Sequence, residues 1–311
     1  MRTHFVVDPT HVIVLMVPLG ATLDVSRVAE VAVSAGAEIV ATRAVPVPIT
    51  LADRRAVTNL LVYSADPDGL SARLRDLSDR HDVDIALQPR AARCQSYGLA
   101  VFDMDSTLID CEVIDELAAA AGVGEQVADI TERAMRGEVD FDESFRTRLA
   151  LLEGLDAGAV DALAEQLPVK EGLREMTTTL KGRGIKLAIF SGGFISIARR
   201  LQADYGFDEV IANTLEVQAG KVTGRVVPPI VNREYKAEAL RALASRLGIT
   251  TNACIAVGDG ANDLSMMAEA GLGVAFHAKP AVRAASPIEV THCGLDGVCY
   301  LLGSEGEFVG D

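Results

Sequence analysis

Asp103 and Asp105 stand two residues apart in VFDMDSTLID, where the apolar run Leu99, Ala100, Val101, Phe102 ends. Carboxylates at such a spot offer oxygen ligands to a cation and groups that take or give a proton. A lone pair of this kind more often caps a turn. A calcium loop of the EF-hand type is excluded, because one starting at Asp103 would need Gly at Leu108 and Glu at Ile114.

The elements that must position the pair follow from the pattern around it. A short apolar run without alternation predicts a strand covered on both faces, with Asp103 at its carboxyl end, where ligands bind in open α/β sheets. Two further runs end in the same way. Ile185 to Phe190 predict a strand followed by Ser191, Gly192 and Gly193, a hydroxyl and unhindered backbone N–H groups able to converge on an anion. Ala253 to Val257 predict a strand followed by Gly258, Asp259, Gly260, Ala261, Asn262 and Asp263, a tight acidic loop before a helix. Between them Lys236 opens an amphipathic helix from about Arg233 to Leu247. Singly, Lys236 reads as a solvated charge, Ser191 as a turn residue and Asn262 as a cap. Together they require coincidences at four strand or helix ends.

DMDST, the Ser191 segment, Lys236 and GDGAND resemble, in order and spacing, the four motifs of the haloacid dehalogenase (HAD) superfamily of phosphohydrolases. Within it, DMDSTLIDCEVIDELA, FDESFRTRLALL, SGGF and VGDGANDLSMM are most similar to the phosphoserine phosphatase family. The resemblance implies an α/β fold: a Rossmann-like core with a parallel sheet, carrying a small helical cap insert. It implies Mg²⁺-dependent hydrolysis of O-phospho-L-serine, the last step of L-serine biosynthesis. Asp103 would be the nucleophile that becomes an aspartyl phosphate. Asp105 would be the general acid and then base, which requires a pKa raised above the ordinary ~3.9. The implied Mg²⁺ ligands are Asp103, the Asp105 backbone carbonyl and Asp259, with Asp263 behind them. Ser191, Gly192 and Lys236 would hold phosphoryl oxygens, and Asn262 would bond substrate or phosphate.

Substrate choice is expected in residues 111–179, where four helical segments are punctuated by Gly122, Gly137, Gly154 and Pro168. An ammonium and a carboxylate beyond the phosphate call for an acid and a bidentate base. Glu112 and Arg148 match the family's positions for those roles, and Met135 and Phe141 are expected beside Arg148. The core is expected over 98–110 and 180–311.

Residues 1–88 predict the order βαββαβ of a ferredoxin-like α+β domain, joined through a linker at 89–97. This order resembles ACT-type modules that bind amino acids and pair between subunits. The turn Pro18-Leu19-Gly20-Ala21-Thr22 lacks the acidic, Gly-rich character of an amino-acid site, so homodimerisation or structural support is the expectation.

The 311 residues exceed one typical core, and 49% hydrophobic content supports substantial burial. No apolar run reaches the ~20 residues that span a bilayer, which excludes a P-type pump, and no basic region precedes a hydrophobic stretch and cleavage site. A cytoplasmic setting is expected. A net charge of −15 without a basic patch argues against nucleic acid as a partner. Five cysteines without CxxC suggest free thiols. Two rivals stay open: an enzyme of the superfamily acting on another small phosphomonoester or passing phosphoryl to an acceptor such as homoserine, and a catalytically silent amino-acid sensor.

Overall fold

The computed structural model describes residues 8–135, 138–304 and 307–308; of Met135 only the backbone is described. Among the described residues, seven strands and α-helices precede the first core strand: β1 (His11–Pro18), α1 (Val25–Ser34), β2 (Glu38–Val45), β3 (Arg55–Tyr63), α2 (Pro67–His81), β4 (Asp84–Pro89) and the single turn α3 (Arg90–Arg93). The strands form an antiparallel sheet in the order β2-β3-β1-β4. Both faces are buried, and the alternation of each strand divides them. Ile13, Leu15, Leu60 and Val62 pack under α1 and α2 with Val28, Leu70 and Leu74. Val12, Val14, Met16, Val57 and Leu61 belong instead to the large core of the rest of the chain. The second face is therefore docked within the molecule, leaving β2 at the edge of the sheet.

The core begins with β5 (Leu99–Phe102) and is interrupted by the helices α4 (Val113–Ala120), α5 (Gly124–Met135), α6 (Phe141–Ala150) and α7 (Ala157–Glu165). It resumes with α8 (Leu173–Gly182), β6 (Lys186–Phe194), α9 (Ile195–Tyr205), β7 (Glu209–Gln218), β8 (Lys221–Val227) and α10 (Arg233–Arg246). β9 (Cys254–Gly258), α11 (Leu264–Glu269), β10 (Leu272–Phe276), α12 (Pro280–Ala285), β11 (Glu289–Val290) and α13 (Gly297–Tyr300) complete it. The sheet runs β11-β10-β9-β5-β6-β7-β8, parallel except for the β7–β8 hairpin. β5 is fully buried because it lies in mid-sheet between β9 and β6.

Two segments lie at the joints of these parts. Leu173, Met176 and Leu180 of α8 pack in the large core cluster, and just before them Val169 bridges Ile109 at the base of the insert helices. The 89–97 linker contains α3, whose Arg93 is buried against Gln88 and Glu307. Among the described residues, no helix is long and apolar enough to cross a membrane.

Candidate active site

β9, β5 and β6 are neighbours in register, with Phe102 opposite both Val257 and Ile189, so the polar segments at their carboxyl ends converge in mid-sheet. The Asp103 N–H continues the ladder by donating to the Val257 carbonyl at 2.9 Å. Asp103 Oδ1 accepts from the Met104 N–H at 2.7 Å and lies 2.8 Å from Lys236 Nζ, so the carboxylate cannot spin freely. Lys236 is fully buried and also donates to Asp263 Oδ1 at 2.7 Å. Burial would pull the Lys236 pKa down, but the two carboxylates outweigh it and hold the ammonium above its ordinary value.

Local chemistry explains each placement. Asn232 caps α10 by accepting from the Tyr235 N–H, which starts the helix at Arg233, three residues before Lys236. Gly258 is required because an added Cβ would lie 2.4 Å from the Asp263 carboxyl group. Asp263 Oδ2 in turn accepts from the Gly260 N–H at 3.1 Å and ties the loop shut. Asn262 is half-buried in that loop.

The Ser191 segment departs from expectation. β6 does not end at Phe190 but runs to Phe194, and its pairing with β7 skips Gly192 and Gly193, a bulge rather than a following turn. The Gly193 N–H donates to Ser191 Oγ at 2.8 Å and is thereby spent. A Cβ at Gly193 would lie 2.9 Å from Asp105 Oδ2, so glycine there lets the bulge approach the acid.

The carboxyl groups crowd one another. Asp105 has a pKa well above the ordinary carboxyl range, chiefly from burial and then from Glu112 and Asp103, and its buried Oδ1 has no hydrogen-bond partner among the described residues. Burial and Asp103 push Asp259 up to about 6, and burial likewise raises Asp263. Oxygens of Asp103, Asp259 and Asp263 lie within 4.8 Å of one another. An all-oxygen, strongly acidic set with an orphaned acceptor beside it suits a hard divalent cation.

From the insert, half-buried Glu112 accepts from Ser106 Oγ at 2.9 Å, and burial raises its pKa despite that bond. Arg148 is held by longer contacts to the Ser144 carbonyl and Thr131 Oγ1, both 3.4 Å; burial lowers its pKa, while Asp115 and Glu112 oppose that fall. Phe141 reaches over the bulge, its Cζ 3.4 Å from a Cβ placed on Gly192, and it stacks on Phe145. The Met135 side chain lies outside the described residues.

Further side chains join the site. Lys279, the residue before α12, places its Nζ 3.7 Å from Asp259 Oδ2. Thr107 Oγ1 is 3.4 Å from Asp259 Oδ1. Buried Asn213 donates to the Gly192 carbonyl at 2.7 Å and accepts from the Val231 N–H at 2.8 Å, coupling the bulge to the segment before Lys236. Its one signal was a polar residue inside the strand VIANTLEV. Asn232 also donates to Asp142 at 3.1 Å, linking α10 to the insert.

A parallel α/β sheet with acidic strand tips, a buried lysine and a helical insert over them defines a hydrolase of the Rossmann-like class. The chain belongs to the haloacid dehalogenase-like hydrolase family, which it matches over residues 97–271. It is 45% identical over 251 residues to the phosphoserine phosphatase SerB2 of Mycobacterium tuberculosis, covering 79% of this chain and 61% of that protein. It is 46% identical over 227 residues to the phosphoserine phosphatase of Streptomyces coelicolor, covering 73% and 55%. The chain thus spans about three fifths of the length of these relatives. Among solved structures, a HAD family hydrolase from Salmonella enterica serovar Typhi superposes with a TM-score of 0.84 at 30% identity, covering 95% of this chain and 99% of that one. A probable phosphoserine phosphatase from Vibrio cholerae, unliganded, superposes with a TM-score of 0.75 at 35% identity, covering 94% and 86%.

Proposed function

We propose that the chain is a Mg²⁺-dependent phosphoserine phosphatase that converts O-phospho-L-serine to L-serine and phosphate, the closing step of serine biosynthesis. The observation that carries this reading is the pairing of a pinned Asp103 carboxylate with a buried Asp105 carboxyl two residues away, whose pKa burial and neighbouring carboxylates raise well above the ordinary range. A carboxylate oxygen of Asp103 attacks phosphorus while the bond from phosphorus to the seryl oxygen breaks, and Asp105 gives its proton to that oxygen. Water then attacks the aspartyl phosphate, Asp105 takes a proton from the water, and the Asp103–phosphorus bond breaks to release inorganic phosphate. Lys236, Ser191 and Gly192 hold phosphoryl oxygens, and Asn262 bonds the substrate or its phosphate. Mg²⁺ held by Asp103, the Asp105 backbone carbonyl and Asp259, with Asp263 behind, would neutralise the phosphate charge among these carboxylates. Glu112 takes the substrate ammonium and Arg148 its carboxylate, with Phe141 closing the pocket. The names of the relatives and the residue types at each position support this reading.

The same proposal sets the enzyme in the cytoplasm, where its five free thiols would stay reduced. It allows a homodimer through the N-terminal module, which mass measurement in solution tests. The decisive assay is phosphate release from L-phosphoserine, phosphothreonine and a simple alkyl phosphate, with Mg²⁺ and with excess EDTA. Mg²⁺-dependent preference for phosphoserine is expected. Equal turnover of all three would remove the roles of Glu112 and Arg148, and transfer to an added alcohol in place of phosphate release would make the chain a transferase.

A further inference from the structure

We infer that Arg55, on the first residue of β3, positions the neck of the helical insert through Glu171, making the N-terminal module part of the catalytic unit. The neck is two short extended segments. Ile109 bridges Val169, the Asp110 N–H donates to the Pro168 carbonyl at 2.7 Å, and the Lys170 N–H donates to the Leu108 carbonyl at 2.9 Å. The Lys170 ammonium pairs with Asp110 across it. Any swing of Glu112, Phe141 and Arg148 relative to Asp103 must turn about this neck.

Glu171 is the next residue, and three parts of the chain meet on it. Arg54 Nη1 and Arg55 Nη2 approach its Oε1 at 2.9 and 3.3 Å. Its backbone carbonyl accepts from the core N–H of Leu295 at 2.8 Å. One residue on, Gly172 takes φ +78°, and a Cβ there would lie 2.4 Å from Asp296 Oδ1. Arg54 and Glu171 are exposed, so their pair alone contributes little. Arg55 is different: its side chain is 1% exposed, and its Nε lies 3.1 Å from Asp296 Oδ2, itself buried and bonded by the Tyr300 hydroxyl at 3.0 Å.

The N-terminal module has other anchors, at Asp84 on the 291–293 loop and at the Arg93–Glu307 pair. Of these three, the Arg55 cluster is the one that touches the neck. Among the described residues, Arg55 Nε and Nη1 and Asp296 Oδ1 are buried without a well-aligned hydrogen bond, so the cluster holds two incompletely used donors and one unused acceptor. A network with spare pairing can re-pair as the neck turns without stranding a charge, as a hinge requires.

The test compares the full chain with Glu171→Gln, Arg55→Lys and the double variant by hydrogen–deuterium exchange of residues 108–111 and 168–172, alongside kcat and KM for phosphate release. Each single variant should raise neck exchange several-fold and change kcat and KM together by about 3–10-fold. The double variant should be no worse than the poorer single, as expected of residues acting through one contact. Unchanged neck exchange and kinetics, or strictly additive effects, would overturn the inference; so would a loss of thermal stability with kinetics intact. The kinetic arm rests on the phosphatase reading, whereas the exchange arm does not. Absence of turnover in the parent chain would therefore count against that reading and leave exchange to decide the hinge.

Discussion

The molecule's two sheets bury polar groups to opposite ends. In the core sheet, Asp103, Ser191, Asp259 and Asp263 lie at adjacent strand ends, where like charges press on one another and Lys236 alone bridges two of them. In the N-terminal sheet, Arg55, Asn59 and Asp84 are buried too, but they meet a carboxylate or backbone N–H groups supplied by the rest of the chain. Crowded like charge marks a site that awaits a ligand, whereas charge facing its opposite or a backbone donor marks a joint between parts of one chain.

The sharpest way to break this contrast is Asp103→Asn. It should lower kcat by about 10³-fold or more while circular dichroism and the melting transition stay near those of the parent chain. Retained turnover would empty the core-sheet half of the comparison. Lys236→Met should cost about 3–5 kcal/mol of stability besides activity, because it leaves Asp103 and Asp263 buried without their cation. Denaturant unfolding measures it.

On the other sheet, Asp84 accepts from the backbone N–H groups of Thr291, His292 and Cys293 at 2.6 to 3.2 Å. Asp84→Asn should cost about 2 kcal/mol in the same unfolding experiment and leave kcat within about twofold, since a joint is being weakened and not a reacting group. A loss of activity larger than the loss of stability would merge the two categories.

The smallest effect concerns pH. Asp110 at the neck is held below the ordinary carboxyl pKa by its hydrogen bond from Lys170 and then by that residue's charge. A carboxylate depressed in the fold adds stability above its unfolded value of ~3.9, and that contribution fades as pH falls through the folded value. Asp110→Asn should therefore flatten the melting-temperature curve below about pH 4 and shift it by only ~1–2 °C at pH 7. An unaltered acid limb would show that the pair contributes nothing.

Much of the candidate site was legible along the chain, since an apolar run ending in DMDST, SGGF or GDGAND is a local pattern. So were the four insert helices, whose caps Asp140 and Asp156 lie within a few residues of the bonds they make. The bulge at Gly192–Gly193 was not, because it depends on which residues of β7 pair with β6. Nor was the position of Lys279 beside Asp259, which depends on β10 lying next to β9.

The sequence by itself determined the residue types, their order and the strand ends that carry them, because hydrophobic runs and glycine-rich turns act over a few residues. Tertiary structure alone decided that β9, β5 and β6 are neighbours, that Lys236 stands between two carboxylates, and that the second face of the N-terminal sheet is spent on the core. Those pairings join residues from 27 to more than 200 positions apart. Their selection rests on the packing of whole layers, which no local stretch of the chain encodes.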